Sequence, residues 1–98
     1  MSYEIEYTAE AIRDLNQLKK RDQVLVVTAI DAQLRHTPAQ VTRNRKPLRP
    51  NAIAAWELRI GDFRVLYNVE AIVRVVEIKR IGRKSGQRLV LGEQEVEP

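Results

Sequence analysis

The chain of 98 residues is long enough for a single hydrophobic core, and we expect one domain over residues 1–98. Its composition, 44% apolar and 31% charged with a net charge of +4, excludes a disordered chain, and the lack of cysteine excludes disulfides, zinc–thiolate sites and thiol catalysis. No apolar run approaches the roughly 20 residues of a membrane span, and the acidic N-terminal stretch is unlike a signal peptide. We therefore expect a cytoplasmic location and no contact with membranes.

The first half of the chain predicts one strand and two helices. Residues 3–7 alternate apolar and polar side chains, as in a short strand. Thr8 can cap a first helix that ends in basic residues, and Asp22 can cap a second helix that ends at Arg35. The short connection predicts a helical hairpin. Apolar residues at three- and four-residue spacing should turn the second helix towards the core: Val27, Ile30 and Leu34.

The second half of the chain predicts a basic loop and a three-stranded meander. The segment "RNRKPLRPN" contains four basic residues and two prolines, which is typical of an extended loop. Strands are predicted at 54–60, 63–69 and 72–81. The order β-α-α-β-β-β predicts an α+β fold in which a helical hairpin packs on an antiparallel sheet. Leu89 and Leu91 alternate as they would in a further strand, and the sequence leaves open whether the tail forms one.

Two predicted turns set the register of the meander. If Gly61-Asp62 is a two-residue turn, Arg59 lies opposite Arg64. If Glu70-Ala71 is the next turn, Arg64 lies opposite Glu77. One face of the sheet, which the helices should cover, then contains Trp56, Leu58, Ile60, Phe63, Val65, Tyr67, Val69, Ile72, Val76 and Ile78.

Arg59 and Arg64 are predicted to project together from the opposite, uncovered face. Like charges directly opposite each other destabilise a sheet, so this pair needs an explanation. One explanation is a surface network in which Glu57 and Glu77 neutralise the arginines. The other is that the two guanidiniums converge where a phosphate group binds, because arginine binds phosphate oxygens in a bidentate fork.

The basic residues are concentrated in one half of the chain. Between Arg43 and Arg88 there are twelve lysines and arginines and four acidic residues, a net charge of +8. This asymmetry favours a surface for a polyanion, above all nucleic acid, over an ordinary solvated surface. The residues that we expect to contact nucleic acid outside the arginine pair are Arg43, Arg45, Lys46, Arg49, Lys79, Arg80 and Arg88.

A longer motif connects these features to a known family. The run "RIGDFRVLY", residues 59–67, and the later Gly82-Arg83-Lys84 resemble the RelE/ParE superfamily of toxins from bacterial type II toxin–antitoxin modules. The resemblance covers residues 3–84 and implies one of two activities. RelE-type members enter the ribosomal A site and cut messenger RNA, whereas ParE-type members poison DNA gyrase.

The resemblance to RelE-type members implies that the catalytic cations are Arg59, Arg64, Arg83 and Lys84. In RNA cleavage the 2′-hydroxyl attacks the neighbouring phosphorus, and clustered cations can stabilise the more negative phosphorane. This chemistry needs no metal, and we expect no cofactor. Gly82 breaks the alternation and could swing Arg83 and Lys84 over the face that carries Arg64.

The sequence also departs from the RelE-type pattern. Glu57 stands where those members have a lysine, and their late tyrosine or histidine has no counterpart. Glu57 could itself act as a general base if the arginines hold it ionised. His36 is expected at the end of a helix or on the surface rather than in catalysis. Tyr67 and Trp56 share the parity of the covered face and are expected to pack in the core.

These observations predict the toxin of a type II toxin–antitoxin module. The cationic face favours a ribosome-dependent messenger-RNA endonuclease, so messenger RNA on the ribosome is the expected substrate. The alternatives are a ParE-type inhibitor of DNA gyrase and a non-catalytic member of the fold that binds RNA or antitoxin. The expected protein partner is an acidic antitoxin that covers or displaces Arg59, Arg64 and the Arg83-Lys84 segment.

Overall fold

The computed structural model describes residues 2–92 and 94–96, which form two helices and seven strands. The sheet has the order β2-β3-β4-β5-β6-β7, and β1 also pairs with β5. The predicted α+β fold is confirmed, but the sheet is mixed, because β1 runs parallel to β5. The elements are β1 Glu4–Tyr7, α1 Ala9–Asn16, α2 Lys20–Leu34, β2 Arg45–Pro47, β3 Trp56–Ile60, β4 Phe63–Glu70, β5 Val75–Ser85, β6 Arg88–Leu91 and β7 Gln94–Val96.

Strand β5 is the element on which the sheet is built. It pairs with β4 along one edge, and its other edge pairs first with β1 and later with β6. In the stretch of this edge between the end of β1 and the start of β6, residues of α1 and its cap form the hydrogen bonds to the backbone of β5. The Thr8 hydroxyl donates to the Lys79 carbonyl at 2.9 Å, and the Asp14 carboxylate accepts from the Ile81 N–H at 2.9 Å. Since buried backbone groups need partners, these bonds hold α1 against the edge of β5.

The two helices differ from the prediction at the point where they meet. Thr8 caps α1 as predicted, since its hydroxyl accepts from the Ala11 N–H at 3.0 Å. The basic residues Lys20 and Arg21 begin α2 rather than ending α1, and Asp22 lies in the first turn of α2 rather than at its cap. Acidic and basic residues follow each other here. The sequence alone therefore does not decide whether the basic residues end α1 or begin α2. Neither helix of the described residues is long and apolar enough to cross a membrane.

The stripe of α2 that enters the core is shifted by one position from the prediction. The buried residues are Val26, Ile30 and Leu34, whereas Val27 is 39% exposed. The run "VLVV" offers an apolar residue at every position, so spacing alone did not identify the one that faces inwards. The four-residue repeat in the structure places the three buried side chains on one side of the helix.

The helices cover the predicted face of the sheet. Side chains from β3, β4 and β5 join α1 and α2 in the main core, which contains Ala11, Val26, Ile30, Leu34, Leu58, Phe63, Val65, Tyr67, Val76, Ile78 and Ile81. Trp56, Ile60 and Val69 pack against this core as predicted. Ile72 was wrongly placed on this face, because it is fully exposed in a loop.

The connection between β4 and β5 is longer than predicted. Four residues, 71–74, separate the strands, and Arg74 has a φ of 55°, which few side chains adopt. The Arg74 guanidinium lies 5.8 Å from the centre of the Tyr3 ring, within the range of a cation–π contact. The loop takes Ile72 out of the strand, which explains its exposure.

This longer loop and a β-bulge change the register of the second hairpin. The register of β4 with β5 shifts just after Leu66. As a result Arg64 lies opposite Gly82, whereas Glu77 lies opposite Asn68. The predicted pairing of Arg64 with Glu77 is therefore wrong. A bulge adds a residue to one strand and reverses the parity that simple counting assumes.

The second face of the sheet is also covered, contrary to prediction. The leucines of β6 lie in a second apolar cluster, which contains Ala54, Leu66, Leu89 and Leu91, with Leu48 and Ile53 packed against it. Gly82 allows β6 to come this close. A Cβ atom on Gly82 would lie 2.4 Å from the Val90 carbonyl oxygen, a distance that side chains do not tolerate. Arg64 therefore lies buried on this covered face rather than on an open surface.

We predict that Asp14→Ala destabilises the protein by about 3 kcal/mol, because it leaves a buried N–H and a guanidinium without an acceptor. Asp14 is buried and bonds to both Arg80 and Ile81. Asp31→Ala is the matched control, since Asp31 is exposed and pairs with Arg35 one helical turn away. It should cost less than about 0.5 kcal/mol. Urea unfolding of both variants measures the difference; equal small losses would contradict the structural role of Asp14.

Candidate functional site

The β3–β4 hairpin brings the two predicted arginines together. The register is the predicted one, with Ile60 opposite Phe63 and Arg59 opposite Arg64. Gly61 begins the turn with a φ of 56°, a conformation that glycine adopts without steric cost. The turn is tied to the end of β5 by the Lys84 N–H, which donates to the Asp62 carbonyl at 2.8 Å.

The two arginines have very different environments. Arg59 is exposed, whereas Arg64 is only 7% exposed. One terminal nitrogen of Arg64 donates to the carbonyls of Gly61 and Phe63 at 2.7 and 2.9 Å. Its Nε is buried and has no hydrogen-bond partner among the described residues. The prediction that Arg64 projects from an open face is therefore wrong.

Glu57 is the counter-ion of this buried guanidinium. Its carboxylate is 5% exposed and lies 3.7 Å from Arg64 Nε and 3.9 Å from Lys46 Nζ. Burial lowers the pKa of Arg64, and the charge of Arg59 lowers it further, while Glu57 opposes both effects. The electrostatic problem of facing arginines is thus relieved in part by Glu57, not by Glu77.

Arg83 and Lys84 do not lie on the same face of the sheet. Strand β5 continues through Gly82 without interruption. The Arg83 guanidinium lies over the Phe63 ring, 4.5 Å from its centre, and 3.5 Å from Asp22 of α2, so it is on the helical side. Lys84 pairs with Leu89 and shares the face of Arg64. Of these two predicted cations, only Lys84 lies on the face of the arginine pair.

Two of the cations predicted to bind nucleic acid are engaged in the scaffold. Arg45 is buried and donates to the carbonyls of Gln33 and Thr37 at 2.8 and 2.6 Å, which fixes the end of α2 to β2. Arg80 makes two bonds to Asp14, at 2.7 and 3.1 Å. These bonds raise the pKa of Arg80. Arg45 is thus enclosed by the scaffold, whereas Arg80 is half-buried and lines an open cleft beside Asp14.

The remaining predicted cations lie at the periphery. Arg43 is exposed and shares a cleft with Arg59. Arg49 and Lys79 line another open cleft of about 530 Å³, where Lys79 lies 3.5 Å from Glu77. Arg88 is exposed on β6. Arg43 thus lines a different cleft from Arg49 and Lys79.

The other candidates for proton transfer and base stacking lie where the sequence predicts. His36 is exposed just after α2. Tyr67 is buried against Trp56, with ring centres 6.1 Å apart. Its hydroxyl donates to the Pro38 carbonyl at 2.7 Å, and burial raises its pKa well above the usual value. Tyr67 therefore packs in the core, where its hydroxyl cannot exchange protons with a ligand.

Two polar residues in the cleft beside Arg59 were not predicted from the sequence. Gln33 on α2 and Asn44 in the following loop line it together with Arg43. Asn44 is also held by its main chain, since its carbonyl accepts from the Arg59 N–H at 2.7 Å. No motif joins these residues, because they come from separate elements and meet only in the folded chain.

We predict that Glu57→Gln destabilises the protein by about 3 kcal/mol, since it leaves the Arg64 cation buried without a counter-ion. Adding Arg59→Ala should restore about 1 kcal/mol, because it removes a facing like charge. Glu77→Gln is the control and should change little, since Glu77 is more exposed and, among the described residues, pairs with Lys79 alone. Chemical unfolding of the single and double variants measures the coupling. Additive effects of the first two substitutions would contradict this network.

Comparison with known proteins identifies the fold and the family. A family model described as "ParE toxin of type II toxin-antitoxin system, parDE" matches residues 5–87. Toxin RelG of Mycobacterium tuberculosis is 31% identical over 87% of this chain and 94% of its own length. Toxin RelE of the same organism is 32% identical over 85% of this chain and 82% of its own length.

Solved structures agree with this result. The toxin–antitoxin complex RelBE2 from M. tuberculosis contains a chain with a TM-score of 0.70 and 28% identity, covering 86% of this chain and all of that one. The archaeal RelE–RelB complex from Pyrococcus horikoshii OT3 matches with a TM-score of 0.70 at 20% identity, over 88% of this chain and 99% of that one, which supports the fold. The model match and the two toxins above 30% identity place this chain in the ParE toxin family of type II toxin–antitoxin modules, within the RelE/ParE superfamily.

Proposed function

We propose that this toxin is a ribosome-dependent endonuclease that cuts messenger RNA and so inhibits translation. The observation that carries the proposal is the arginine pair at the β3–β4 turn, with Arg59 exposed and Arg64 held in register behind it. A facing pair of like charges destabilises a sheet, and because Glu57 offsets this repulsion only in part, a bound anion would stabilise the pair further. Phosphate is the anion that guanidinium groups bind best.

The chemistry assigns different tasks to the cations. Arg59 is the exposed group and would contact the scissile phosphate, where it stabilises the phosphorane formed by attack of the 2′-hydroxyl. Arg64 adds positive potential from behind, in an interior where charges act strongly. Lys84 lies on the same face as Arg64 and would stabilise the negative charge that develops on the 5′-oxygen as its bond to phosphorus breaks. Arg83 lies on the other face and is the weaker candidate. Glu57 is buried and ion-paired, so we assign it the role of counter-ion rather than general base.

The activity proposed here would take place in the cytoplasm, where ribosomes and messages are found. Charge also suggests the protein partner. The two structural neighbours are complexes of a RelE-type toxin with a RelB antitoxin. The half of this chain between Arg43 and Arg88 carries a net charge of +8 and would attract an acidic segment. We therefore propose an acidic antitoxin that covers Arg59 when it is bound.

Inhibition of DNA gyrase is the second candidate function. The observation in its favour is that the matching family model is the one described for ParE toxins. The absence of an evident general base near Arg59 in the described residues also favours a non-nuclease activity. This function would use the basic surface to bind a protein–DNA complex and would need no attack on phosphorus.

We predict that inducing the toxin produces new 5′ ends within translated messages, and that Arg59→Ala lowers their number by a factor of about 100 or more. The reason is that Arg59 is the exposed cation at the proposed scissile phosphate. Sequencing of RNA 5′ ends after induction measures the effect. Arg21→Ala is the matched control, since Arg21 is an exposed arginine on α2 that does not belong to the arginine pair.

The same cultures separate the two functions. Plasmid supercoiling should remain normal while messages are cut. Loss of supercoiling with intact messages would contradict the nuclease and favour the gyrase inhibitor. Intact messages and normal supercoiling would contradict both functions.

A further inference from the structure

An open cleft of about 460 Å³ lies between α2, the loop that follows it and the end of β3. Its polar lining consists of Gln33, Arg43, Asn44 and Arg59, and Ala29 and Ile60 contribute apolar surface. The cleft has the size of a small-molecule site. It opens beside the exposed arginine of the β3–β4 turn, so a ligand in it would reach Arg59 directly.

The charges in this cleft are uncompensated. Its described lining contains two arginines and no carboxylate. Within residues 2–92, neither Arg43 nor Arg59 makes a side-chain hydrogen bond or a salt bridge. The contrast is with Arg45, Arg64 and Arg80, whose guanidiniums bind carbonyls or carboxylates. Two guanidiniums that share one cleft without a counter-ion create a positive potential that favours an anion.

The two amides of the cleft are also free to bind a ligand. In the part of the chain that the structure describes, the side-chain amides of Gln33 and Asn44 donate to and accept from no protein group. An amide can donate and accept at the same time, so it can contact the hydrogen-bonding edge of a nucleic acid base. Arginine, in contrast, binds phosphate regardless of the base attached to it.

We propose that this cleft is a nucleotide subsite for single-stranded RNA, in which Arg43 and Arg59 bind the phosphate and Gln33 and Asn44 read the base. The inference rests on the proposed function, because it assigns the ligand to the RNA that the toxin cuts. Gln33 and Asn44 are specificity-determining residues and take no part in bond cleavage. Recognition of an unstacked base by its edges is the usual mode for single-stranded RNA.

The position of the cleft explains why one nucleotide would be read. Arg59 belongs both to the cleft and to the arginine pair. The phosphate that it binds would therefore be both the phosphate held at the cleft and the phosphate that is attacked. The neighbouring base would then fall between α2 and the loop, beside the two amides. Arg64 lies directly opposite Arg59 on β4 but does not line the cleft.

The test uses short 2′-O-methyl RNAs of single base composition, which bind but cannot be cleaved because the attacking hydroxyl is blocked. Nuclear magnetic resonance of the labelled toxin follows the side-chain amides of Gln33 and Asn44. We expect both signals to shift on binding, with affinities that differ about fivefold or more between the best and the worst base. Gln33→Ala and Asn44→Ala should each remove this difference and weaken the best ligand most.

Matched variants separate phosphate binding from base recognition. Arg43→Ala should weaken all four RNAs by a similar factor and reduce the dependence of binding on salt. Asn16→Ala and Arg21→Ala are the controls, since both residues are exposed outside the cleft. Neither control should change affinity or base preference.

The outcomes distinguish this inference from the proposed function. Message cleavage in cells without any shift of the two amides would overturn the subsite and leave the nuclease intact. Binding with equal affinity for all bases, unchanged in Gln33→Ala, would overturn the role of the amides. Shifts with base preference in a toxin that cuts no message would support the subsite and overturn the nuclease.

Discussion

The carboxylate of Asp14 fills a gap in the edge of strand β5, and the arrangement of both sheet faces depends on it. It accepts from the Ile81 N–H and from Arg80 at the point where β1 has ended and β6 has not begun. The helix α1 is thereby fixed over the main core. The chain can then continue straight through Gly82 to β6, whose leucines cover the second face of the sheet. That cover is the reason why Arg64 is buried rather than exposed.

The cations of this protein divide into two groups by their surroundings. Arg45, Arg64 and Arg80 are bonded to carbonyls or carboxylates and contribute to the fold. In the described residues, Arg43 and Arg59 remain without such partners and share one cleft. A buried charge is stable only with a partner of opposite charge or a hydrogen-bond partner. An exposed charge is hydrated, needs no such partner, and so can bind a ligand. The basic composition alone did not separate these groups, and we propose that the second group binds RNA.

The sequence predicts local features of the fold well and distant ones poorly. The opposition of Arg59 and Arg64 follows from a two-residue turn, so counting along the chain was sufficient. The pairing of Arg64 with Glu77 failed, because a bulge and the left-handed Arg74 lie between them. The burial of Arg64 depends on β6, which lies more than twenty residues away. The amides of Gln33 and Asn44 meet Arg59 only through tertiary packing, which no motif encodes.

The most direct test is cross-linking of the toxin to an uncleavable message on the ribosome. The message carries a photoreactive base at the A-site codon, and mass spectrometry identifies the cross-linked residues of the toxin. If unpaired cations bind RNA and paired cations build the fold, cross-links should fall at Arg43–Asn44 and around Arg59. Cross-links confined to the surroundings of Arg80, or none to the message, would contradict this division.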